Sequence, residues 1–415
     1  MLDRLGMRLR ARSSRAGLIP FSDVKPSGSR LAWLWHGLGM DDQKNIYIAI
    51  GNGQEMHRKP GDVLIFQYDT KTGQKRYLDS VRGILAAENN LGPNEHWPWE
   101  EGVAKVHSDI IQHNGKMYFS THDLHHAKNL KKHRGGHFVS FELSTRKFKN
   151  LSLSNPLGVA VEHEGIIALN VLQRENLLVG WTYPFGHVLL HDLETGETTK
   201  CASGFTGNDL TNIARVIVTT IKGSVFASYS GPGAPDCFFK LNREQERLLP
   251  TKYRHAMGFI EGMAQTSDGR TIFLADTNGE LYSLDTDTEV FTRLGSILPH
   301  DRQRRGERVM QLRNLTMSCN EQKLFTIPTQ VSGGSGAWHL YEYVIATGEK
   351  SAVANLRGVL KNSMLTGNGV MDEAGYFYLS CYFGSDAKMY RRYGGLSGLA
   401  RIDVSDRYCQ VKNSR

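Results

Sequence analysis

A unit of about fifty residues recurs along this 415-residue chain, and that recurrence leaves few folds open. Each unit reads as a turn with Gly or Asn, an apolar strand, then a second strand ending in Asp-x-x-Thr-Gly or a variant. The copies span Asn45–Gln74, Gly115–Lys147, Gly165–Glu197, Gly223–Glu246, Gly269–Glu289, Lys323–Glu349 and Gly375–Asp406. Period-two strands bounded by turn residues at this spacing predict propeller blades of four strands each. A single sandwich does not need seven copies, and a solenoid repeats at a shorter, stricter period. Long amphipathic helical patterns are missing, which disfavours an α/β fold. The predicted fold is all-β, a seven-bladed β-propeller of four-stranded antiparallel blades. Its single domain covers 31–415, with Leu31–Asp42 leading into the first blade and Gly83–Glu101 inserted after it.

Charge narrows the partners. Seven Lys/Arg and two Asp in residues 1–30 carry +5 of the formal +8, so the basicity belongs mainly to a tail. Nucleic-acid binding is therefore not the expectation. No apolar run approaches the ~20 residues of a membrane-crossing helix. The tail, expected to be flexible in part, lacks the apolar stretch of a secretory signal. Five scattered cysteines without a CxxC motif argue against a disulfide scaffold. A monomer is expected.

Repeat phase assigns residues to one face. In a four-stranded blade the inner strand begins where the second strand returns. Inner strands are expected to begin near Trp35-His36, Val106-His107, Ala214-Arg215, Arg313-Asn314 and Leu365–Asn368. Second strands are expected to end near His122, at Val171 before a loop holding Tyr183, at Tyr229 and at Tyr382. His36, His107, His122, Tyr183, Arg215 and Tyr229 then share a face. Singly, a strand histidine is more often a packing residue, and a tyrosine beside proline a turn plug. Their convergence makes the site hypothesis.

Histidine and tyrosine move protons, and arginine grips a carboxylate with a two-pronged fork. No GxSxG elbow, HExxH or Walker loop is present. The mouth candidates are basic or neutral, which disfavours a paired-carboxylate hydrolase. The set suits β-elimination from a uronic acid. There the carboxylate is neutralised, a base takes the adjacent proton, and an acid protonates the leaving glycosidic oxygen.

Lys105–Asp123 (KVHSDIIQHNGKMYFSTHD), Trp181–Glu197 (WTYPFGHVLLHDLETGE) and the Arg215 strand resemble the seven-bladed propeller polysaccharide lyases, above all the ulvan lyases. The resemblance follows motif order through most of the chain. It implies elimination on a uronate-containing, sulfated glycan, without a cofactor for the chemistry. His107 and Tyr183 would be the proton-transfer pair, with the base undecided between them, and His122 and Arg215 would neutralise the carboxylate. His125 or His126 competes for the place of His122, in a His/Lys-rich run suited to an anionic polymer. His36, His126, Tyr229, Trp97, Asn314 and Asn368 complete the expected substrate contacts. An extracellular or periplasmic location is also implied, although no signal peptide is visible. Some relatives in that family hold structural zinc, for which His255, Cys319, His339 and Cys381 are the candidate ligands, with buried free thiols as the plainer account of the cysteines. The competing readings are a non-catalytic propeller that binds glycan or protein, and a metal-dependent hydrolase or lactonase.

Overall fold

The computed structural model describes residues 15–29, 31, 34–52, 62–90, 106–122, 134–203, 214–231, 234–253, 259–333, 337–360, 363–383 and 396–405. They form the seven four-stranded antiparallel blades of a β-propeller. Contacts divide the chain into two compact units, one built on Phe21–Ile260 and the other on Glu261–Tyr393 with a strand from near each end of the chain.

The first unit holds four blades. Blade one is Leu38–Met40, Asn45–Asn52, Asp62–Asp69 and Lys75–Ser80. Blade two is Ile111–His113, Lys116–Ser120, Phe138–Glu142 and Lys147–Asn150. Blade three is Gly165–Leu172, Leu177–Tyr183, His187–Asp192 and Thr198–Ser203. Blade four is Ile217–Thr219, Val225–Gly231, Ala234–Asn242 and Arg247–Pro250. In the second unit, blade five starts at Ile260–Gln265 and blade six at Thr316–Met317. Blade seven is Ser363–Met371, Tyr376–Phe383, Leu396–Asp403 and, as its outer strand, Ala16–Pro20. Among the described residues no helix is long and apolar enough to cross a membrane.

Alternation along each strand explains the stacking of blades one to four. In blade two, Met117 and Phe119 pack with Tyr47, Ala49 and Ile65 of blade one. Tyr118, between them, packs with Ile166, Leu169 and Leu178 of blade three. A strand covered on both faces must be apolar at every interior position, as the buried core of Asn45–Asn52 is.

The turns explain the repeat. After the third strand, Asp69 Oδ1 accepts the N–H groups of Lys71 and Thr72 at 2.8 and 3.1 Å. Asp192 does the same for Glu194 and Thr195, and Asp285 for Asp287 and Thr288. These bonds, from Thr72 and Thr195 above all, hold the Asp69 and Asp192 carboxyls below the usual range. The glycine that follows, Gly73 or Gly196, is left-handed (φ 72° and 77°), which makes it the economical residue there. Between first and second strands another acceptor recurs. Asp41 takes Asn45 N–H at 2.8 Å and the Tyr47 hydroxyl at 3.0 Å. Asp372 takes Tyr376 N–H at 2.9 Å and the Tyr378 hydroxyl at 2.8 Å. Thr220 and Ser318 accept through their hydroxyls.

Asp372 is 4% exposed. Asp372→Ala is expected to strand these donors and destabilise the protein by about 3 kcal/mol, read as a shift in urea midpoint. A shift within error would mean that the turn holds without the carboxylate. Acid should act through His137 and His191. Burial pushes these imidazoles down to about 3 and about 4, respectively. Above the ordinary value of roughly 6.5 both are neutral, folded or unfolded. Below it the unfolded chain binds protons that the folded chain refuses, so stability falls as pH drops from there towards the folded values, by up to about 1.4 kcal/mol per pH unit per histidine. His137→Asn should flatten that slope in urea titrations, and an unchanged slope would clear His137 of the effect.

Three expectations need correction. The tail assigned to 1–30 supplies a blade strand, because Ala16–Pro20 pairs antiparallel with Gly398–Ile402. Blade three was expected to have its second strand end at Val171, but Gly165–Leu172 is its inner strand and pairs with Leu177–Tyr183. Tyr183 therefore ends a second strand, the place His122 holds in blade two. The run GIIALNVL is buried throughout, so it has the composition of a second strand while occupying the first position. Asn368 lies inside Ser363–Met371, at a register shift between Thr366 and Val370, and not at a strand start.

Candidate functional site

The site forms within the first unit, where three of the four inner strands are short. Leu38–Met40, Ile111–His113 and Ile217–Thr219 span three residues each, so the approaching chain runs irregularly and presents Trp35, His36, His107 and Arg215. Backbone bonds fix these approaches: Gly37 N–H to Ser108 O at 3.0 Å and Ile110 N–H to Leu38 O at 2.9 Å. A Cβ on Gly39 would lie 1.8 Å from Ile110 O, so only glycine permits that contact. His36 itself is left-handed (φ 45°), a conformation costly enough outside glycine to mark a constrained site.

His107 is the centre. It is 2% exposed, and its Nδ1 lies 3.0 Å from the carbonyl of Ile167. Its Nε2 contacts the Arg215 guanidinium. Trp35 stacks on the imidazole at 5.8 Å and 12°, and His36 at 5.4 Å and 19°. His122 meets it edge-on at 5.8 Å, and Tyr183 meets His122 edge-on at 5.4 Å. Arg215 also lies 5.6 Å over the Trp35 ring. His36 Nδ1 approaches Asp109 at 3.3 Å.

The protonation states follow from the partners. A carbonyl only accepts, so Nδ1 of His107 carries the ring proton; a guanidinium only donates, so Nε2 holds the lone pair. Burial pushes the Tyr183 phenol above its ordinary range, with the Arg215 charge pulling more weakly the other way. His122 thus touches both the His107 imidazole and the Tyr183 phenol.

Two features escaped the sequence reading. Trp35 joins His107 to Arg215; its position beside His36 at the phase of the inner-strand starts was the available signal. Glu164, buried before Gly165, accepts from Thr182 Oγ1 at 2.5 Å and meets His187 Nδ1 at 2.6 Å. His187 N–H returns to Thr182 Oγ1 at 2.7 Å. The carboxylate ties together the two ends of the turn that carries Tyr183. Nothing in the spacing of the sequence marked it.

Of the expected site residues, His36, His107, His122, Tyr183 and Arg215 come together. Tyr229 lies on the second strand of blade four, opposite Cys237, with its side chain outside the described residues. His126, Trp97 and His255 also lie outside them. Asn314 belongs to the second unit, is wholly buried and spends its amide on the chain leaving the second strand of blade six, donating to Ile327 O at 3.0 Å and accepting Ile327 N–H at 2.9 Å. A substrate cannot reach it. Asn368, in the same unit, accepts Met263 N–H at 2.7 Å.

The zinc set does not assemble. Among the described residues no group of three His, Cys, Asp or Glu could hold a metal ion. Cys319 is exposed and lies 3.3 Å from Asp372 O. Cys381 is fully buried, and burial pushes its thiol up. His339 Nδ1 faces Ala337 O. The donors present do not fit a zinc centre.

No family model and no curated protein matches the sequence. Among solved structures, a chain in the crystal structure of the mitotic checkpoint complex aligns over 65% of this chain and 71% of its own, at 10% identity and a TM-score of 0.40. A likeness at that level says nothing about function.

Proposed function

We propose that this protein is a polysaccharide lyase that cleaves an anionic, uronate-containing glycan by β-elimination. The contact series Arg215–His107–His122–Tyr183 carries the reading: a lone-pair imidazole, a protonated phenol and a guanidinium within one small cluster. Arg215 and His122 would face the uronate carboxylate and take up the charge that moves onto it. His107 Nε2 would remove the proton beside the carboxylate. That electron pair forms the new carbon–carbon double bond as the glycosidic C–O bond breaks, and the leaving oxygen takes the Tyr183 proton. Of the two assignments that the sequence leaves open, the resting protonation states favour His107 as base and Tyr183 as acid.

The test is incubation with ulvan, glycosaminoglycans, pectate and alginate, following the ultraviolet absorbance of the unsaturated uronate. Appearance of that chromophore with an anionic polymer supports the proposal. If every uronate polymer stays unchanged, elimination is ruled out. Binding alone would then leave a glycan-binding propeller.

A further inference from the structure

Arg215 occupies the nitrogen that the elimination needs. The His107 proton is committed to Ile167 O through Nδ1, and the guanidinium donates into the one remaining lone pair, at Nε2. The group placed to bind a carboxylate is therefore also the group that covers the base. A carboxylate offers a guanidinium two parallel charge-assisted bonds, which are stronger than one bond to a neutral imidazole. Arg215 is only partly buried, and the Trp35 face beneath it attracts the cation without using its N–H groups. Against the bond to Nε2, a ligand carboxylate is the stronger partner.

We propose that Arg215 caps Nε2 of His107 until a ligand carboxylate draws it away, so that the site acts on free uronates and spares their esters. For turnover this rests on the lyase reading; the cap itself does not. The selectivity runs against the intrinsic chemistry. An ester carries no charge and has the more acidic neighbouring proton, so an uncovered base would work well on it.

Two measurements test the cap. In ¹⁵N spectra of the histidines, glucuronate should move the His107 Nε2 resonance, while its methyl ester should not. Arg215→Met, which keeps an unbranched aliphatic side chain and lacks any donor, should show the moved position without ligand. A resonance that is identical in wild type and Arg215→Met, or unmoved by saturating glucuronate, overturns the cap. In turnover, wild type should prefer de-esterified over methyl-esterified polygalacturonate. Arg215→Met should lose about a hundredfold on the acid and gain about tenfold on the ester. A folded variant with unchanged or lower ester activity overturns the cap, since simple carboxylate binding predicts that result. If neither these polymers nor ulvan, glycosaminoglycans and alginate yield product while the spectral response is intact, the lyase reading falls and the cap stands.

Discussion

His107→Ala is expected to lower unsaturated-uronate formation by about 10²–10⁴-fold, the span that a positioned acid or base supplies. The loss should appear in kcat, because His107 is 2% exposed and offers the substrate its Nε2 and little surface. The imidazole is wedged between Trp35, His36 and His122, so alanine also leaves a cavity. His107→Gln separates the two effects: its amide can still donate to Ile167 O, yet it has no basic nitrogen. A glutamine variant that melts like wild type and is equally inactive assigns the loss to chemistry. Near-wild-type turnover in a folded His107→Gln protein would remove His107 from the mechanism.

Tyr183→Phe is expected to cost a similar factor, with a pH signature of its own. The phenol works as an acid only while protonated, and burial pushes its ionisation above that of an ordinary tyrosine. Activity should therefore persist through the pH range where an exposed tyrosine ionises, and fall only above it. The Arg215 charge opposes the shift, so whatever activity Arg215→Met retains should have its alkaline limb moved higher still. The limb is measured from kcat against pH and checked by the phenolate absorbance difference between wild type and Tyr183→Phe. A limb at or below the ordinary tyrosine range would mean that another group sets it.

The fold was legible where turn chemistry repeats. Asp69, Asp192 and Asp285 cap their turns through the same side-chain oxygen, and that duty leaves the same letters behind in each blade. Blade three was misphased because strands buried on both faces share one composition, so GIIALNVL carries no mark of its rank. The outer strand Ala16–Pro20 was hidden for a related reason: it is short, preceded by arginines, and pairs with residues far along the sequence. The site was legible to the extent that strand phase sets it. His107, His122 and Arg215 sit at strand ends fixed by their blades. Tyr183 reached the right face by a mistaken route, since the second strand rather than a loop delivers it. Trp35 and Glu164 act through packing and a buried carboxylate, contacts that spacing does not encode. Blade numbers alone put Cys319, His339 and Cys381 in reach of one another, whereas among the described residues they form no group able to hold a metal ion.

The pairing of Ala16–Pro20 with Gly398–Ile402 makes blade seven the work of both ends of the chain. During synthesis Ala16–Pro20 has no partner until Leu396–Asp403 has been made, so blade seven gains its outer strand late. Joining residues so far apart adds little to the equilibrium cost, because loop entropy grows only with the logarithm of length, but it slows the search. Trimming Ala16–Pro20 should therefore expose the edge of Leu396–Asp403, at the opposite end of the sequence, to protease.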